Sequence, residues 1–143
     1  MAERLAAQGI PVTHYTDAGL GQALDDADAV VVGADAISPD GFLNKSGTQM
    51  LAAAAAQQGT PFYVCATRDK FLPSAIAARL MIREESPSEI WSTPPAGVTV
   101  RNRYFEMTPL DLVTAVISDL GVLGAALVPD ACVSPHEELL LNL

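Results

Sequence analysis

Short apolar runs alternate with segments of helical spacing along the chain, an arrangement that βαβ units produce. Residues 2–8 read as the end of a helix stopped by Gly9, and 10–15, with Pro11 at the entrance, as a strand. Asp17 suits a helix N-cap, and the four-residue spacing of Leu20 and Leu24 predicts a helix over 18–27 with one face on a sheet. Residues 29–33 are a continuous apolar run with three valines, which predicts a central parallel strand covered on both faces. Ser38-Pro39-Asp40-Gly41 is a turn signal. The alanine-rich stretch 46–58 predicts a helix ended by Gly59 and Pro61, with a strand over 62–66 completing a crossover.

Farther along, 73–80 offers a short helix, and 83–97 is a polar, proline-containing connection that carries Trp91. Residues 98–102 read as a strand near the edge. Thr108-Pro109-Leu110-Asp111 supplies a cap, a proline at the first helical position and an early acid, which predicts a helix running to Gly121. Residues 122–128 read as a last strand or a buried extension, and 129 onward as a tail.

These elements predict one α/β domain over residues 1–143, Rossmann-like, with three layers around a mainly parallel sheet. Half of the residues are hydrophobic and 17% are charged, enough apolar material for the core of a domain this long. A formal charge of -9 repels phosphate backbones, so nucleic acid is not an expected partner. No apolar run reaches the roughly 20 residues of a membrane span and no signal-like start is visible, so a soluble cytoplasmic protein without a membrane partner is expected. Cys65 and Cys132 lack the spacing of a zinc or redox site, and their default reading is reduced, buried thiols. His14 and His136 have no second histidine at ligand spacing, so no metal is expected.

Parallel sheets bind ligands past the carboxyl ends of their strands, and Asp35 follows such an end directly. Its carboxylate suits a general acid or base, or simply an Asx-type loop cap. Asn44-Lys45-Ser46-Gly47-Thr48 falls where a helix begins, so free amides, the positive dipole end and an ammonium group can converge on an anion such as phosphate. Gly47 would admit an oxyanion close to the backbone, and Asn44 would orient a hydroxyl or carbonyl. An ordinary capped helix with an exposed lysine gives the same local pattern. Neither a Walker loop nor a dinucleotide fingerprint is present, so no cofactor is expected. Arg68 and Lys70 follow the next strand and either reach the same crevice or form a charged loop rim.

Residues 31–37 (Val-Val-Gly-Ala-Asp-Ala-Ile), then Asp40-Gly41, Asn44-Lys45 and Gly47-Thr48, resemble blocks of the initiation-factor-2B-related family. Pro61-Phe62-Tyr63-Val64, residues 102–109 and Leu112-Val113-Thr114-Ala115 continue the resemblance in order. The family includes methylthioribose-1-phosphate isomerase, ribose-1,5-bisphosphate isomerase and the alpha, beta and delta subunits of a translation initiation exchange factor. The resemblance implies a C-terminal Rossmann-like domain, with the family's N-terminal helical domain absent here. It further implies that Asp35 acts as acid/base in converting an aldose 1-phosphate to its ketose, that Asn44 and Lys45 bind substrate, and that the chain forms a homodimer. The family's catalytic cysteine and phosphate-gripping arginines have no counterpart in this sequence, so an isomerase-related domain inactive alone is expected. A noncatalytic module that senses a phosphorylated sugar or nucleotide, or assembles with proteins, is the second reading. Leu139-Leu140-Leu141 needs a core or a partner to escape water and fits the expected dimer.

Overall fold

The computed structural model describes residues 1–132. Helix α1 is Ala2–Ala6 and α2 is Leu20–Asp25; strands β1, β2 and β3 are Val30–Gly33, Ala36–Ser38 and Gly41–Lys45. Helix α3 is Thr48–Gln58, β4 is Phe62–Cys65 and α4 is Ser74–Ala77. Strands β5, β6 and β7 are Phe105–Thr108, Ala115–Ser118 and Gly121–Gly124, before α5 at Val128–Ala131. The fold is α/β, built on a mixed, mostly parallel sheet in the order β1-β4-β6-β7, in which only β7 runs antiparallel. A second, antiparallel sheet has the order β2-β3-β5.

Alternation along the strands decides where the core sits. Val30 lies opposite Phe62, and Val64 opposite both Val32 and Val116; this face packs beneath α2 and α3. Ala52 and Ala55 on α3 are fully buried, and their small side chains bring the helix close to the strands. Phe42 of β3 meets Phe62 of β4 with ring centroids 6.4 Å apart, which joins the two sheets through one core. Gly59, with φ 76, ends α3 where the sequence predicts.

Several expectations are corrected. Residues 10–15 form no strand, because no ladder partner lies beside them among the described residues. The helix expected over 18–27 begins as a 3-10 turn at Asp17–Gly19 and is regular only in α2. The apolar run at 29–33 is not central: β1 has one neighbour, β4, among the described residues. Nor is it covered on both faces, since Val31 is 63% exposed, with Val122 at 68% and Ile117 at 38% on the same side. The strand expected over 98–102 lies instead at β5, where Phe105 to Thr108 pair with β3.

The helix expected from 108 to 121 is only a 3-10 turn at Leu110–Leu112. Thr108 ends β5 rather than capping a helix, and Pro109 takes the cap position with no side-chain cap bond; the apolar run at Ala115 to Ile117 pairs with β4, and the gain from buried parallel pairing outweighs local helix preference. Gly121 opens β7 rather than ending a helix, and Pro129 lies inside α5 rather than starting a tail. The turn expected at 38–41 joins β2 to β3 in a hairpin whose two strands the sequence reading did not assign. Cys65 is exposed and only Cys132 is buried. His136 and Leu139 to Leu141 lie outside the described residues.

Two outcomes follow. At Gly41 an added Cβ would stand 2.6 Å from the Thr108 carbonyl oxygen. Gly41→Ala is therefore expected to cost about 1–3 kcal/mol of stability, read from urea unfolding. Burial pushes the Cys132 thiol up to about 11, so a thiol reagent at neutral pH should label Cys65 in the native protein and Cys132 only after unfolding.

Candidate functional site

Asp35 stands between β1 and β2, and its main-chain N–H donates to the Leu43 carbonyl at 2.8 Å. This bond folds the hairpin back, so the exposed carboxylate of Asp35 comes to the end of β3 that holds Asn44 and Lys45. The three residues thus share one end of the hairpin in their main chain, while the side chains of Asn44 and Lys45 part to opposite faces. Asn44 and Lys45 do not sit at a helix start, as their sequence context suggests; both are strand residues. Consecutive strand residues point to opposite faces, and these two do. Asn44 lies opposite Glu106 and its Nδ2 donates to Thr48 Oγ1 at 3.1 Å, whereas Lys45 lies opposite Phe105.

Lys45 Nζ rests 4.0 Å from the ring centroid of Tyr104 and 5.7 Å from that of Phe105. An ammonium over an aromatic face is attracted by the ring quadrupole. The Tyr104 hydroxyl donates to Glu89, and Asn102 Nδ2 donates to the same carboxylate at 2.8 Å. These two bonds, Tyr104 first, hold the Glu89 carboxyl below the usual carboxylate range, and the Lys45 charge adds to them. Glu84 takes Arg103 Nε at 2.7 Å and Arg101 at 3.1 Å, so the polar segment 83–97 is tied at both Glu84 and Glu89 to residues 101–104.

The start of α3 is already occupied. Gly47, with φ +100, turns the chain from β3 into the helix, and its N–H donates to Glu106 Oε1 at 2.8 Å. The Gln49 N–H donates to the same oxygen at 2.8 Å. The amide of Gly47 is therefore not free as the sequence reading has it: the anion on the positive end of this helix is the chain's own carboxylate.

A crevice of about 550 Å³ opens past the carboxyl ends of β1, β4 and β6, lined by Gly33, Ala34, Cys65, Thr67, Lys70 and Asp119 among others. Asp35 follows the Ala34 wall directly. Asp119 is committed to the loop, accepting the Arg68 N–H at 2.6 Å, while Lys70 makes only a loose, exposed pair with Asp69 at 3.6 Å. Lys70, of which the sequence left two readings, thus lies at the crevice. Glu89, Tyr104 and Glu106 were not singled out from the sequence; the last two fall in the 102–109 block, but their roles need the fold to bring them to Lys45 and Gly47. Among the described residues no cluster of three or more metal-ligating side chains occurs.

The family model described as the initiation factor 2 subunit family matches residues 1–125. Ribose 1,5-bisphosphate isomerase of Archaeoglobus fulgidus is 37% identical over 128 residues, which cover 85% of this chain and 40% of the relative. Methylthioribose-1-phosphate isomerase of Pelotomaculum thermopropionicum is 41% identical over 124 residues, 80% of this chain and 34% of the relative. Among solved structures, translation initiation factor eIF-2B subunit delta from A. fulgidus superposes with a TM-score of 0.78 at 34% identity, covering 90% of this chain and 41% of that one. The chain thus spans well under half the length of these relatives.

The Glu106 bridge has a measurable weight. Glu106→Ala leaves two helix-start amides without their acceptor and should lower stability by about 1–2 kcal/mol in chemical unfolding, with Glu106→Gln losing less.

Proposed function

The chain belongs to the initiation factor 2 subunit family, and on that premise we propose that it carries part of a sugar-phosphate site of the aldose-1-phosphate to ketose-1-phosphate isomerase kind. The observation that supports this most is the main-chain approach of Asp35 to Asn44 and Lys45 at one end of the hairpin, with Asp35 one residue past Ala34 in the wall of the crevice. In this reading Lys45 compensates the phosphoryl charge, Lys70 in the crevice wall adds a second cation, and Asn44 orients a sugar hydroxyl or carbonyl. Asp35 is the proton-transfer group, solvent-exposed in the described residues. Gly47 contributes the turn that sets Asn44 and Lys45 against α3, rather than a free amide.

The chain is inactive alone in this reading. The family's cysteine and arginines have no counterpart in the sequence, and an acid/base without groups that fix the substrate loses several kcal/mol of positioning and electrostatic stabilisation. A second reading, an assembly module like the exchange-factor subunits, is favoured by one observation. The apolar side chains of Val31, Ile117 and Val122 stand on an uncovered face of a parallel sheet, a surface that proteins ordinarily cover. A homodimer in the cytoplasm fits either reading.

Calorimetry and an isomerase assay separate them. Ribose 1,5-bisphosphate is expected to bind, with affinity falling about tenfold, or roughly 1.4 kcal/mol, in Lys45→Ala. No turnover of it or of methylthioribose 1-phosphate is expected from the isolated chain. Turnover that disappears in Asp35→Asn would show a complete enzyme instead. Absent phosphate binding, together with self-association that Val31→Asp abolishes, would favour the assembly module.

A further inference from the structure

The segment 83–97 is polar and proline-containing, yet it is fastened at chosen points. Asn102 is buried and gives its Nδ2 both to the Ser86 carbonyl at 2.9 Å and to Glu89 at 2.8 Å. Glu84 is neutralised by Arg101 and Arg103. Glu89 differs: its hydrogen-bond donors, Asn102 and Tyr104, are neutral, and among the described residues it makes no ion pair within 4.0 Å. The phenol of Tyr104 therefore stands between two full charges, the carboxylate of Glu89 at its hydroxyl and the ammonium of Lys45 on its face. Donation of the hydroxyl proton toward a carboxylate enriches the ring in electron density, which strengthens its hold on the cation.

We propose that Glu89 and Tyr104 form a dock that parks the Lys45 ammonium away from Asn44 and so sets the affinity of the site for a phosphate monoester. The inference rests on the reading of Lys45 as a ligand residue. Strand alternation sends Lys45 to the side opposite Asn44, and the dock holds it there. A ligand phosphoryl group must draw the four-carbon stem back over the end of β3, in competition with the ring and with Glu89. The dock discriminates by charge: a phosphate dianion competes well against one carboxylate, whereas a neutral sugar or a carboxylate monoanion does not. Glu89 acts through Lys45 without touching ligand, so it is a positioning residue.

Lys70 is the chain's other lysine and serves as an internal reference. The full chain is treated with an amine-acylating reagent, and the rates at Lys45 and Lys70 are read by mass spectrometry. In parallel, ribose 5-phosphate is titrated calorimetrically. Glu89→Gln keeps an acceptor for Tyr104 but removes the charge, and Tyr104→Phe keeps the ring but removes the link. Both are expected to raise the Lys45-to-Lys70 acylation ratio. Glu89→Gln is further expected to tighten ribose 5-phosphate binding about threefold, the range of an exposed charge pair. An unchanged acylation ratio in both variants overturns the dock, as does Lys45-dependent binding that Glu89→Gln leaves unaltered. A raised ratio without any ribose 5-phosphate binding upholds the dock and rejects the sugar-phosphate reading instead.

Discussion

The carboxylate of Glu106 ties the first turn of α3 to β5 across a sequence separation of 59 residues, and the geometry of the candidate site depends on it. Two amides of the helix start donate to one oxygen, so the positive end of the helix is neutralised internally. Because β5 pairs with β3, the same contact fixes the end of β3 against α3, which is where Asn44 and Lys45 lie. The helix start thus performs a structural task.

This long-range tie explains which parts of the site were legible in the sequence. Asp35 was locatable because an apolar run followed by a small residue and an acid marks the carboxyl end of a parallel strand, and β1 does end there. The turn at 38–41 was also legible, since its residue types have local dihedral reasons. The surroundings of Asn44 and Lys45 were not, because a three-stranded antiparallel sheet whose third strand begins 60 residues later has no local signature. The same cause accounts for β6: Thr108 to Asp111 carries every helix-start signal, but the partner that makes 115–118 a strand is β4, far upstream. Local signals specified the turn at 38–41 and the stop at Gly59, but not the caps at Asp17 and Thr108 or the stop at Gly121, where nonlocal pairing and neighbouring turns decided the structure.

The core has a similar one-sidedness. Val30, Phe62, Val64 and Val116 fill one face beneath α2 and α3, and that single face suffices to knit both sheets through Phe42 and Phe62. The opposite face alternates in register with it, so Val31, Ile117 and Val122 are as apolar as their buried neighbours but remain open. Among the described residues β1, with its three valines, has one neighbour, and proteins normally protect such an edge with charge, proline or a cover.

Strand alternation also limits how any ligand can use Asn44 and Lys45 together. A molecule lying over either face of β3 can meet only one of them, because their side chains leave the backbone in opposite directions. Contact with both requires a position beyond the end of the strand, where the long lysine stem can bend over the terminus toward the asparagine. That position adjoins Asp35, which the bond from its amide to Leu43 draws to the same end. The crevice past β1 and β4 is lined by Ala34, the residue before Asp35, and by Lys70, whereas Asn44 and Lys45 are not among its walls.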